Sequence, residues 1–286
     1  MAWGVALFIV VNVAANLWLP ERLEPWSDPA YFVRLQLLSR RLREHASISP
    51  HPGTIATTAS AQSPRLVTAF GSSRFLGGLD GKVFEDVLRR RFNEPCVMVN
   101  FASPGAGPLD SYVRLNRLLR DGHRPDLVLI EILPNQLNVG PGAIAPVASA
   151  SRFSAADEAC LLDANLAIPT ENRLQRSSIP LAVCSYRLEL LRAVSPKMLD
   201  GGDVMLAVRS SDPSGSSLIR GPVTHERRQV ALQATRREYQ QGATEFRLGG
   251  DGLAALEATL QVCRNEGLTS ILVVMPEGPE LRGWYR

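Results

Sequence analysis

Four short runs of apolar and β-branched residues stand out along the chain: RLVTAFG from Arg65, CVMVNFA from Cys96, DLVLIEIL from Asp126 and SILVVMP from Ser270. Each is bounded by turn-forming residues and is too short for a buried helix, so each predicts a buried strand. Between them the period changes to that of a helix. Residues 80–93 carry Val83, Val87, Leu88 and Phe92 at helical spacing, and residues 111–121 (SYVRLNRLLRD) follow Asp110 as the expected N-cap. Residues 252–267 form a further helix closed by Gly267. The order β-α-β-α-β, resumed after residue 250, predicts an α/β fold: a parallel sheet between two helical layers.

Residues 140–250 break that alternation. They open with GPGAIAPVASA and suggest short helices over 154–164 and 179–194, a loop over 200–222 and a polar helix over 224–242. This stretch reads as a mainly helical insertion into one domain spanning 65–286. Ahead of that domain, residues 21–64 comprise an amphipathic helix (AYFVRLQLLSRRLREH, 30–45) and a Ser/Thr/Ala/Pro linker over 46–64. The first twenty residues contain the apolar run Trp3–Leu19, about 25 Å long as a helix against a bilayer core of about 30 Å. Asn12 and Asn16 lie one turn apart, Trp18 suits a membrane interface and Pro20 ends the run. A membrane anchor is the leading reading; a signal peptide cleaved near Val13-Ala14-Ala15 and a buried helix are its rivals. Basic residues follow the run and none precedes it, which taken alone puts the domain in the cytoplasm. A start site placed too late would hide upstream basic residues, and the expectation adopted is a single-pass anchor with the domain extracytoplasmic.

Composition changes this picture little. Hydrophobic residues make up 45%, charged residues 21%, and the net charge is +3, ordinary globular values. No basic stripe interleaved with aromatics suggests nucleic acid. Cys96, Cys160, Cys184 and Cys263 show no CxxC spacing, so no metal site is expected; Cys96 and Cys263 read as buried thiols, with a disulfide the alternative for a domain outside the cytoplasm. No organic cofactor is implied.

The chemistry gathers in three loops, each following a strand of the same sheet, where sites of open α/β sheets form. They are Gly71-Ser72-Ser73-Arg74, Asn100-Phe101-Ala102-Ser103-Pro104-Gly105 and Leu133-Pro134-Asn135-Gln136. Each has a plainer reading: Ser after a strand caps a helix, and Asn or Gly turns the chain. Together, in this order, they resemble the SGNH (GDSL) hydrolase superfamily. Its Gly-Asp-Ser block is matched by Gly71-Ser72-Ser73, its Asn-x-Gly-x-x-Gly block by residues 100–105 with Ala102 for the first Gly, and its Pro-Asp-x-Val and Gly-x-Asn-Asp block by Pro125, Asp126, Val128 and Asn135. Ser72, Leu133 and Gln136 depart from it. The resemblance covers residues 65–138, extends to 251–285 by pattern only, and leaves the insertion unexplained. It implies a flavodoxin-like three-layer fold and a serine esterase or O-acyltransferase. Ser73 would be the nucleophile, with Gly105 and Asn135 in the oxyanion hole and an acyl ester, of a glycan for example, as substrate.

A serine nucleophile needs a base. The resemblance implies an Asp-x-x-His block after the last strand, and none occurs in these 286 residues. His45 and His51 fall in the N-terminal segment, His123 precedes the third strand and His225 lies in the insertion; none is expected to be the base. The expectation is therefore a domain lacking its C-terminal Asp/His segment and inactive in this form. The alternative is a non-catalytic SGNH-like module that binds a glycan or a protein. A phosphate-binding reading of GSSRFLGG is disfavoured, because the loop has neither a P-loop Lys nor a GxGxxG pattern.

Overall fold

The computed structural model describes residues 28–47, 63–140, 153–167, 212–217 and 224–284, together with Trp3 and Val10. The helix expected over 179–194 lies outside these residues, as does most of the loop expected over 200–222. The contact pattern divides the chain into two compact units: Met1–Val33 with Ala150–Arg209, and Arg34–Ser149 with Ser210–Arg286. In the first, α5 (Ala155–Asp163) is capped by Ser154, whose Oγ accepts from Asp157 N at 3.2 Å while Asp157 Oδ2 accepts from Ser154 N at 2.7 Å. Among the described residues no helix is long and apolar enough to cross a membrane. The run Trp3–Leu19 lies outside them apart from Trp3 and the exposed Val10.

The second unit holds the sheet. Its strands are β1 (Arg65–Phe70), β2 (Cys96–Asn100), β3 (Leu127–Ile132) and β4 (Thr269–Val274), all parallel, in the order β2-β1-β3-β4. This α/β arrangement is the one the alternation predicts. The order is consistent with a flavodoxin-like sheet and puts a switch point between β1 and β3, where the chain changes the direction in which it adds strands. Side chains alternate across the sheet. Val67, Ala69, Cys96, Met98 and Leu129 form one face, packed against Phe75 and Leu76 of α2 (Ser73–Gly78) and Phe84 and Leu88 of α3 (Gly81–Phe92). Leu66, Thr68, Phe70, Val97, Val99, Val128 and Ile130 point the other way and are buried as well. The helices α4 (Pro108–Arg120) and α7 (Gly250–Asn265) pack against each other. The β2 edge is fully buried, whereas at the β4 edge Ile271, Leu272 and Val274 are exposed.

Local chemistry explains the helix ends. Asp80 caps α3, its Oδ1 accepting from Val83 N at 3.0 Å, and Asn93 ends it in the left-handed region (φ +54). Gly267 (φ +62) closes α7 as expected. Two expectations need correction. Asp110 is not the N-cap of α4: Gly107 is, Pro108 takes the first turn, and Asp110 Oδ2 accepts from Gly107 N at 3.0 Å. The apolar stripe of α3 is also rotated. Val83, Val87 and Phe92 are exposed, and the buried face is Phe84, Glu85 and Leu88. The cause is Glu85, which accepts from Met98 N at 2.7 Å and pairs with Arg41 at 2.8 Å. Arg41 belongs to α1 (Pro29–Ser47) and also donates to Met98 O at 2.7 Å.

Within the second unit the chain leaves and re-enters the sheet at a closed neck. Where the chain leaves, Val139 N donates to Arg247 O at 2.9 Å and Asn138 forms an antiparallel bridge with Leu248. Asn138 Oδ1 accepts from Arg247 N (2.7 Å) and Gly140 N (2.9 Å), and its Nδ2 donates to Gly242 O (3.1 Å) in α6 (His225–Thr244). Residues 212–217 dock on the end of β2: Asn100 N donates to Ser214 O at 2.8 Å and Ser217 N to Leu76 O at 3.0 Å.

Candidate functional site

The order β2-β1-β3 sets the three candidate turns side by side, with the Ser73 turn in the middle. After Phe70 the chain passes through Gly71 and Ser72 and enters α2 at once. Ser72 is buried and caps the helix, its Oγ accepting from Arg74 N at 3.2 Å. Ser73, in the first turn, is exposed. The two serines thus divide the readings between them: Ser72 is the helix cap, and Ser73 presents its side chain at the rim. Gly71 is not needed for backbone freedom, since its φ is not positive. It supplies space. A Cβ there would sit 2.5 Å from Glu131 Oε2, 2.6 Å from Glu131 Cβ and 2.8 Å from Phe75 Cδ1.

Hydrogen bonds join the turns. Phe101 N donates to Ala69 O at 2.7 Å and Ser103 N to Gly71 O at 3.0 Å, laying the second turn along the first. Phe101 stacks on Phe70 with ring centroids 5.5 Å apart. Gln136 Nε2 donates to Ala106 O at 3.1 Å, tying the third turn to the second. Gly105 is exposed at the tip of the second turn with φ +74, a conformation that favours glycine, and a Cβ there would touch nothing within 4 Å. Asn135 lies in a short 3-10 helix, Pro134–Leu137, and is 1% exposed. Its Nδ2 donates to Tyr239 O of α6 at 3.4 Å, and its Oδ1 is buried without a hydrogen-bond partner. Ser73 and Gly105 therefore share the exposed rim, while Asn135 sits beneath it with its amide engaged by α6.

Three features of this region escape the motif reading, and a motif residue, Asn100, takes a structural role. Glu131, 7% exposed, accepts from Ser72 N through Oε2 at 2.5 Å, and its Oε1 is buried without a hydrogen-bond partner. A lone acidic residue in an apolar strand was the available signal, because a buried charge always has a reason. Arg114, also buried, donates to Phe101 O at 3.1 Å and Ser103 Oγ at 2.7 Å. Arg34 Nε donates to Asn100 O at 2.8 Å. Burial, then the Arg114 charge, pull the Arg34 guanidinium down to about 10 against the opposing effect of Asp212, so both are cations at neutral pH. They place positive charge against the backbone of the second turn. Asn100 is a structural pin: its Nδ2 donates to Phe75 O at 3.2 Å and its Oδ1 accepts from Ala102 N at 3.0 Å.

No described histidine reaches this rim. α1 runs antiparallel to β2, with Arg34 at Asn100 and Arg41 at Met98, which carries His45 toward the amino ends of the strands. His123 precedes β3 at that same end. His225 is exposed at the start of α6, about 21 Å along the helix from Tyr239; His51 lies outside the described residues. Among the described residues no cluster of His, Cys, Asp and Glu could hold a metal ion. A cleft of about 440 Å³ between Leu119, Arg124, Val262 and Glu266 opens at the amino ends of β3 and β4, away from Ser73.

Fold and site together define an α/β protein with an exposed serine on the turn after β1, beside the switch point of a parallel sheet. The chain belongs to the DUF1574 family, described as proteins of unknown function, whose profile matches residues 27–173. That span contains all three turns. No curated protein and no solved structure matches the chain.

Proposed function

We propose that this chain carries the core of an SGNH-type serine esterase or O-acyltransferase that acts on an acyl ester, an acetyl ester or a glycan ester being examples of the class. The observation that carries this reading is Ser73. It is exposed on a strand-to-helix turn and hydrogen-bonded neighbours bind that turn to the Gly105 and Asn135 turns, the arrangement an acyl-transfer nucleophile requires. Ser73 Oγ attacks the ester carbonyl, and the Ser73 N–H, the Gly105 N–H and the Asn135 amide hold the oxyanion. One such donor is worth about 2.7–4 kcal/mol of transition-state stabilisation. For Asn135 to contribute, its amide must turn from Tyr239 O toward the rim. The base is an imidazole, which the described residues do not bring to the site. In the same reading Trp3–Leu19 anchors the protein in a membrane by a single pass and the domain is extracytoplasmic.

The test is labelling of the full-length protein by a fluorophosphonate. The wild type should label and Ser73→Ala should not; equal labelling of the two would remove Ser73 from the mechanism. The engagement of Asn135 by α6 favours a second reading, a non-catalytic SGNH-like module that binds a glycan or a protein. Glycan binding without turnover of its acetyl esters by the full-length protein would select it.

A further inference from the structure

Glu131 is the only charged side chain of β3 (LVLIEI), and its burial requires a cause. We propose that Glu131 is the positioning residue of the Ser73 turn, acting through the Ser72 peptide and not on substrate; this rests on Ser73 being the nucleophile. The strand register supplies the first argument. Phe70 pairs with Ile130, so the next residues along, Gly71 and Glu131, stand abreast. Glu131 lies two residues after Leu129 and so projects from the same face, the one on which Phe75 and Leu76 of α2 pack. Its carboxylate fills the space that the missing side chain of Gly71 leaves open.

The second argument concerns one peptide plane. The Gly71 carbonyl accepts from Ser103 N at 3.0 Å, and the Ser72 N–H on the far side of the same peptide donates to Glu131 Oε2 at 2.5 Å. A planar peptide held at both ends fixes the dihedrals on either side of it. Those dihedrals aim the next residue, Ser73, and its N–H. The bond to an ionised acceptor is stronger and shorter than one between neutral groups. No other hydrogen bond among the described residues holds this N–H. Glu131 therefore sets where the Ser73 hydroxyl and the adjacent oxyanion donor point, without touching the ester.

The experiment compares wild type, Ser73→Ala, Glu131→Ala and Glu131→Gln in the full-length protein, using hydrolysis of p-nitrophenyl acetate and the amide proton shift of Ser72. Misplacement of a reacting group by about 1 Å costs on the order of 10²-fold. Glu131→Ala should thus lose about 10²-fold in kcat with KM within about twofold, and the Ser72 amide proton should move upfield. Glu131→Gln retains an acceptor for the Ser72 N–H and should restore kcat to within about tenfold of wild type. If Glu131→Ala does not fold, Glu131→Gln decides: a folded variant as inactive as Ser73→Ala overturns the proposal. So does a folded Glu131→Ala with wild-type kcat, a loss confined to KM, or an unmoved Ser72 amide. If wild type and Ser73→Ala turn over the ester equally, the nucleophile assignment falls and this proposal with it. That failure is distinct from a wild type far above Ser73→Ala with Glu131→Ala beside it.

Discussion

Replacing Gly71 by Ala tests the packing of the central turn with a single methyl group. The backbone at Gly71 lies outside the left-handed region, so no conformational penalty is involved and the cost is steric. The new Cβ would stand 2.5 Å from Glu131 Oε2, 2.6 Å from Glu131 Cβ and 2.8 Å from Phe75 Cδ1. The carboxylate can swing away, but the Glu131 Cβ is fixed to the middle of the sheet. Overpacking of this kind costs about 1–3 kcal/mol. Moving the carboxylate also breaks its bond from the Ser72 N–H, worth about 1.5–3 kcal/mol for a charged acceptor. Gly71→Ala should therefore destabilise by about 2.5–6 kcal/mol, against an expected loss of only about 1–2 kcal/mol for Gly105→Ala, whose surroundings are open but whose φ is positive. Urea unfolding monitored by tryptophan fluorescence and far-UV circular dichroism measures both, with coincident transitions as the check on two-state behaviour. A Gly71→Ala protein within about 0.5 kcal/mol of wild type would refute the packing of Glu131 against this turn.

Three further outcomes follow. Ser72→Ala should cost about 1 kcal/mol through loss of the α2 cap, whereas the exposed Ser73→Ala should leave stability within about 0.5 kcal/mol, both read from urea midpoints; the reverse order would mean the two serines exchange roles. Arg114→Met should lower stability by about 2–4 kcal/mol in the same assay, because Ser103 Oγ and Phe101 O lose a buried charged donor; a neutral substitution would show that the second turn holds its shape unaided. Burial, then the Glu85 charge, push the Cys96 thiol from 9.0 up to about 12. Its contribution is complete below pH 9 and is lost as pH rises toward 12, because the unfolded chain releases the proton first; Cys96→Ala should flatten the decline in unfolding midpoint between pH 9 and 11.

The strands were legible because each is an unbroken apolar run closed by turn residues, and the alternation with helices fixed their parallel sense. The rim was legible for a related reason: Ser73, Gly105 and Asn135 each follow a strand at its carboxyl end, so topology alone brings their turns together. What sequence could not resolve depended on distant partners. The pattern of α3 admits two stripes, and the choice between them was made by Arg41 and the Met98 peptide, far along the chain from Glu85. Glu131 was visible as a charge in an apolar strand, yet its role required knowing that it stands abreast of Gly71. The buried state of Asn135 came from α6, more than a hundred residues later in the chain, and the docking of 212–217 on β2 leaves no local trace. Asp110, by contrast, was a misreading of local chemistry, since Gly107 before Pro108 is the usual signature of a helix start.

The neck at Asn138 has a consequence for how such proteins diversify. The chain departs at Val139 and returns at Arg247, where a 2.9 Å backbone hydrogen bond and the Asn138 side chain hold the two sides together, so both ends of the intervening segment meet at one point on the scaffold. A segment whose ends already touch can be lengthened, shortened or exchanged with little added closure entropy, and without shifting β3 or β4. The sheet can thus keep its strand order and its three turns while the length of chain between the two sides of the neck changes.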